Sequence, residues 1–128
     1  MTSRFTELAI DCHDPGGLAR FWCSVLDYEV QYQDEEIVTI GSAMGSEGEN
    51  HPGEVSPVLT FARVPERKTV KNRLHLDVSP ADREQDEEIA RLVGLGATVV
   101  NDDRPEFGWV TLADPEGNEF DVLGDRRP

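Results

Sequence analysis

The feature that most limits what this chain can fold into is an order of elements written twice. "FTELAIDC", residues 5–12, alternates so that Leu8, Ile10 and Cys12 face one way and Glu7, Ala9 and Asp11 the other, the pattern of a strand with one buried face. "HDPGGLARFWCSVLDY" follows as a helix: Asp14 caps it, Pro15 suits its first position, and Leu18, Phe21, Trp22, Val25 and Leu26 recur at helical spacing. "YEVQYQD", "EEIVTIG" and "SPVLTFARV" read as three more strands. The order then returns. "RLHLDV", residues 73–78, alternates with Leu74, Leu76 and Val78 on one face and Arg73, His75 and Asp77 on the other. Ser79 and Pro80 open a second helix, with Asp82 and Glu84 in an acidic first turn, an apolar stripe of Ile89, Leu92 and Val93, and Gly94 and Gly96 at its end. "ATVVND", "GWVTLAD" and "EFDVL" complete the second set of strands.

Overlaying "LAIDC" on "LHLDV", and "LDYEV" on "LGATV", aligns the two copies with a small insertion between them. Two βαβββ modules, about 5–64 and 72–123, make a single α+β domain of 128 residues, a length too short for two independent cores. Helices cover one face of the strands in such a domain. The other face is then exposed, pairs with a partner or lines a cavity. "DPEGNEFDVL", residues 114–123, places one charge on that open face, because Asp121 alternates with the core residues Phe120 and Val122.

Charge removes some partners. With 26 acidic against 12 basic residues the formal net charge is -14, a field that repels phosphate backbones and anionic membrane surfaces. No apolar run approaches the roughly 20 residues of a membrane helix, and the start lacks the apolar stretch of a secretory signal. A soluble cytoplasmic protein is expected. There Cys12 and Cys23 remain thiols, and they read as small buried hydrophobes.

Residues 41–56, "GSAMGSEGENHPGEVS", are too polar to pack and read as a loop between two strands, in a position suited to a lid. His51 within it and His13 at the turn into the first helix read as solvated, and Trp22 as core. Trp109 alternates with Thr111, so it either packs or offers a flat ligand a stacking surface. "ADREQDEE" reads as the solvated face of the second helix. "PERKTVKN", residues 65–72, reads as a solvated crossover or a contact with a second subunit.

The opening "ELAIDCHDPGGLARFWCSVLDYEV", the closing "DPEGNEFDVL" and the doubled pattern resemble the vicinal oxygen chelate superfamily. It includes glyoxalase I, bleomycin resistance proteins, fosfomycin resistance enzymes and extradiol dioxygenases. "RVPERKTVKNRLHLDV" is similar, more narrowly, to a glyoxalase-like subfamily. The resemblance implies modules that curl into one mixed sheet, helices on the convex face, a small-molecule cleft on the concave face, and a homodimer. It also implies a divalent metal held by the first and last strands of each module.

Carried over by position, the ligands fall on Glu7, on Asp121, on Arg73 and near Thr60 or Ala62. A guanidinium has no free lone pair, so His75, two residues on, takes the place of Arg73; Thr60 and Ala62 are poor ligands. Glu7, His75 and Asp121 suit Mn, Fe, Ni or Zn, with Asp121 as the catalytic base and Arg73, Thr60 and Trp109 binding substrate. Lyase, isomerase or dioxygenase chemistry follows from that set. The alternative is a metal-free protein that sequesters a small aromatic or cationic molecule, as bleomycin resistance proteins do, with Arg73 neutralising Glu7 or Asp121.

Overall fold

A computed structural model describes residues 2–43 and 57–124. The chain divides into two compact units, Met1–Arg67 and Lys68–Pro128. Each is a mixed four-stranded sheet with one helix, so the α+β class and the doubled βαβββ order are both present.

In the first unit β1 (Leu8–Cys12) leads into α1 (Pro15–Leu26), then β2 (Tyr28–Gln33), β3 (Ile37–Ser42) and β4 (Leu59–Arg63). The strands lie in the order β1-β4-β3-β2, with β1 parallel to β4 and the other pairs antiparallel. Asp14 caps α1, its carboxylate accepting from the Gly17 N–H at 3.2 Å, and Pro15 occupies the first turn, where its missing N–H costs nothing. Asp27 ends the helix in the left-handed region at φ 56°. Leu18, Phe21 and Trp22 of α1 are buried with Val38, Ile40, Leu59 and Phe61 of the sheet, which makes one continuous apolar layer. Trp22 is therefore core. Cys12 is buried and Cys23 half-buried, as thiols.

In the second unit β5 (Asp77–Val78), α2 (Gln85–Leu95), β6 (Thr98–Asp102), β7 (Val110–Ala113) and β8 (Glu119–Val122) repeat that order, the strands lying β5-β8-β7-β6. The core here is Leu92, Ala97, Val110, Leu112, Phe120 and Val122. The copies share an irregularity as well as an order. β2 slips register against β3 between Val30 and Tyr32, and β6 slips against β7 between Val99 and Asn101.

Three expectations are corrected. The strand over residues 73–78 is reduced to Asp77–Val78, and Leu74, expected to face the core, is 76% exposed. The parallel register pairs Asp77 with Asp121, and carrying it back would set Arg73 and Leu74 against Gly117 and Asn118. Those two belong to the turn held by the buried Asp114 carboxylate, which accepts from the N–H groups of Glu116 and Asn118, both at 2.9 Å. The ladder has no partner there. The second helix starts at Gln85 rather than beside Pro80, because Glu84 and Glu87 form a capping box that fixes its first turn. Its acidic run is not wholly solvated either: Glu88 is buried and paired with Arg91 at 2.7 Å. Gly41 and Ser42 close β3, and the expected loop from residue 44 onward, His51 included, lies outside the described residues.

Candidate functional site

β8 delivers Asp121 to the half-buried face of the second sheet, since Phe120 and Val122 on either side are fully buried. Its Oδ1 accepts a hydrogen bond from the Thr111 hydroxyl of β7 at 2.6 Å. Its Oδ2 lies 3.5 Å from His75 Nδ1, and the same nitrogen lies 3.0 Å from Asp77 Oδ1. One donor atom from each of His75, Asp77 and Asp121 falls within 4.8 Å of the others. Asp77 and Asp121 are cross-strand partners, which puts both carboxylates on one face of the sheet.

Sequence spacing made Arg73 the counterpart of Glu7 in the second module, but matching Thr60 with Asp121 gives that place to His75. Ala9 pairs with Thr60 as Asp77 pairs with Asp121, so Glu7 and His75 each stand two residues before the paired position. The hydrogen bonds repeat this equivalence. In the first unit Thr60 donates to Glu7 and lies 2.9 Å from the Thr39 hydroxyl, while in the second Asp121 meets His75 and accepts from Thr111. Thr60 holds the position that Asp121 holds. Within its own unit Arg73 is exposed and forms no ion pair with a described residue, so the guanidinium does not neutralise Asp121. Ala62 is half-buried on β4, and its methyl group has nothing to offer a ligand.

A cavity of about 490 Å³ opens beside this cluster, lined by His75, Asp77, Phe107, Gly108, Trp109, Asp121, Leu123 and Gly124. Trp109 thus stands in its wall. Phe107, which sequence reasoning missed, stacks on it with ring centroids 5.0 Å apart and planes 14° from parallel. The loop carrying both rings is closed by the Asp103 N–H donating to the Trp109 carbonyl at 3.0 Å. Gln85, at the start of α2, pins it further, its amide donating to the carbonyls of Gly108 at 2.9 Å and Val122 at 3.2 Å. Gly124 is required at the rim, because a Cβ there would meet the Gly108 carbonyl oxygen at 2.9 Å. Neither Phe107 nor Gln85 follows a period that marks a site; the only hint is the pair of rings flanking a glycine in "FGW".

The approach to β8 is fixed by Glu119. Burial pushes its carboxyl up, but hydrogen bonds from the Asn72 N–H and the Lys68 ammonium outweigh that and hold it below the ordinary carboxylate range. Lys68 Nζ stands 3.0 Å from the carboxylate, so at this residue the basic stretch is tied to its own unit.

The residues matched by a family model described as a glyoxalase-like domain run from 7 to 123, nearly the whole chain. The chain belongs to the glyoxalase-like domain family. No curated protein matches it in sequence. Solved structures place the glyoxalase-like domain among known folds. A glyoxalase/bleomycin resistance protein/dioxygenase family enzyme from Burkholderia phytofirmans PsJN superposes with a TM-score of 0.67 at 15% identity, over 91% of this chain and 94% of that one. The fosfomycin resistance protein of Listeria monocytogenes, complexed with Mn(II) and sulfate, gives 0.68 at 14% identity, over 98% and 95%. Glyoxalase I of Leishmania major gives 0.61 at 15%, over 96% and 87%. At these identities the likeness shows the fold.

Proposed function

We propose that this glyoxalase-like domain is a metal-dependent enzyme acting on a small organic molecule, with lyase, isomerase or dioxygenase chemistry of the glyoxalase type. One observation carries the reading: an imidazole and two carboxylates converge within 4.8 Å on the wall of a cavity sized for a small ligand. One nitrogen and two carboxylate oxygens suit Mn, Fe, Ni or Zn. Fold neighbours add support, since the Listeria fosfomycin resistance protein binds Mn(II), in one complex with a dihydroxypropylphosphonic acid.

His75, Asp77 and Asp121 would hold the ion. Lewis acidity toward a carbonyl or hydroxyl of the substrate is what a divalent metal supplies when bound. The chain's own part is orientation and proton handling. Thr111 fixes one oxygen of Asp121, which leaves the other directed at His75, where it would hold the ion or, once displaced from it, take a proton from the substrate. Glu7 is engaged by Thr60 within its own unit, and the metal reading rests on the second unit alone. A cytoplasmic homodimer belongs to the same proposal, supported by the two thiols and by the exposed Val70 and Leu74.

Titration of metal-stripped protein with Mn(II), Ni(II) and Zn(II) tests the proposal. One ion per chain is expected, with binding lost in His75→Ala and Asp121→Asn. Binding of none of the three sinks it.

A further inference from the structure

His75 is delivered by very little ladder. β5 holds only Asp77 and Val78, and the chain just before it is exposed at Arg73 and Leu74. Two anchors bracket the imidazole, and both lie on β8. On one side the Leu76 carbonyl accepts from the Asp121 N–H at 3.0 Å. On the other side Glu119 takes up Asn72, whose backbone N–H donates to Oε1 at 3.1 Å and whose side-chain amide stands 3.5 Å from the Glu119 carbonyl. Only Arg73, Leu74 and His75 span the gap between the anchors, and so short a span tied at both ends has few conformations open to it.

The second oxygen of Glu119 is engaged as well. Oε2 accepts from the Lys68 ammonium at 3.0 Å, and the Lys68 stem runs past Gly117 in the turn before β8. Glu119 lies on the same half-buried face of β8 as Asp121, because Phe120 between them is fully buried. The first unit has no such clasp. With the pair Ala9 and Thr60 matched to Asp77 and Asp121, the place of Glu119 falls on Val58, whose side chain accepts nothing. The same order of strands forms there without it, so the clasp is not a requirement of the scaffold; it belongs to the copy that carries His75, Asp77 and Asp121.

We propose that Glu119 is a positioning residue for the His75 imidazole: it clasps residues 68–72 to β8 and so brings His75 Nδ1 against Asp77 and Asp121. Its effect on a bound ion rests on the metal-enzyme reading, whereas the placement of the imidazole does not. The bond to Asn72, three residues before His75, carries the placement. Lys68 holds the carboxylate in the orientation that makes this bond.

Two substitutions separate position from charge. Glu119→Gln removes the negative charge and keeps an oxygen that accepts from the Asn72 N–H, while Glu119→Leu removes both. In metal-free full-length protein the ring-nitrogen NMR signals of His75, assigned with His75→Ala, are expected to stay at their wild-type positions in Glu119→Gln and to move to those of a solvated imidazole in Glu119→Leu. Trypsin should cut after Lys71 and Arg73 about ten-fold faster in Glu119→Leu, because the segment opens locally. Glu88→Gln, which weakens the buried ion pair with Arg91 on α2, controls for lost stability and should change neither readout. Asn72→Pro removes the N–H donor from the other partner and should move the His75 signals in the same way, so the test reports even if Glu119→Leu does not fold. With Mn(II), affinity should fall about ten-fold or more in Glu119→Leu and about three-fold or less in Glu119→Gln. Unmoved His75 signals or unchanged cleavage in Glu119→Leu overturn the proposal, and so do changes of the same size in Glu88→Gln. An equal loss of Mn(II) affinity in the two Glu119 variants also overturns it, since that is the mark of charge alone. If no Mn(II) binds, the metal reading falls, and the His75 signals and cleavage rates still decide the clasp.

Discussion

Asp121 is held from both sides, by the Thr111 hydroxyl at 2.6 Å on Oδ1 and by His75 Nδ1 at 3.5 Å from Oδ2. The threonine bond comes from the neighbouring strand, so the sheet itself sets the angle of the carboxylate. Thr111→Val keeps the shape and removes the donor. Outer partners of this kind are worth about 10-fold to 100-fold in metal affinity, and a loss within that range is expected. Titration with Mn(II), run beside a thermal melt, checks it. An unchanged affinity would show that Thr111 serves only the fold.

Gln85 bridges two elements with one amide group, donating to Gly108 and Val122. Gln85→Ala leaves two carbonyls without that donor. A loss of about 1–3 kcal/mol is expected in urea unfolding. The quenching of Trp109 fluorescence by iodide should rise as well, because the loop carrying it is no longer pinned.

Asp114 anchors the turn before β8 with hydrogen bonds to two backbone N–H groups and to the Asn118 amide, and it is only 4% exposed. Asp114→Ala should cost about 3 kcal/mol or more, since charge-assisted bonds at about 1.5–3 kcal/mol each are lost and buried donors are left unpaired. Gly117, at φ +90° in the same turn, is expected to lose about 1 kcal/mol as Gly117→Ala. Chemical denaturation measures both.

Acid should act on Asp102. Hydrogen bonds from the Arg104 side chain, then from its backbone N–H, hold the Asp102 carboxyl at about 2. A carboxyl lower in the folded than in the unfolded chain contributes stability above its unfolded value, near about 3.9, and loses it as pH falls toward about 2. Asp102→Asn should therefore lose less stability than wild type between pH 5 and pH 2. Parallel acid titrations followed by circular dichroism compare the two curves, and identical curves would refute the assignment.

Alternation made most of the fold legible. Leu59 and Phe61 on β4, and Phe120 and Val122 on β8, are fully buried, and the polar residues between them turn the other way. Alternation does not show where a ladder stops. Arg73 and Leu74 alternate like a strand, yet their partner positions fall in the Asp114 turn, so β5 begins only at Asp77. The site was legible in part. Asp121 and His75 stand out by residue type and face. Asp77 reads as one more alternating polar residue until its pairing with Asp121 is known. Phe107 and Gln85 act through loop geometry and a side-chain bridge, which have no period for a sequence to display.

The matched positions of Thr60 and Asp121 carry a further consequence. Each sits at the centre of the same three-residue arrangement, yet one copy has a hydroxyl there and the other an acid. The protein is in effect its own control experiment: a single scaffold present twice, with a hydroxyl at that position in one half and a carboxylate in the other. Installing the acid in the first half, as Thr60→Asp, asks whether the scaffold alone is enough to give that half the second one's arrangement.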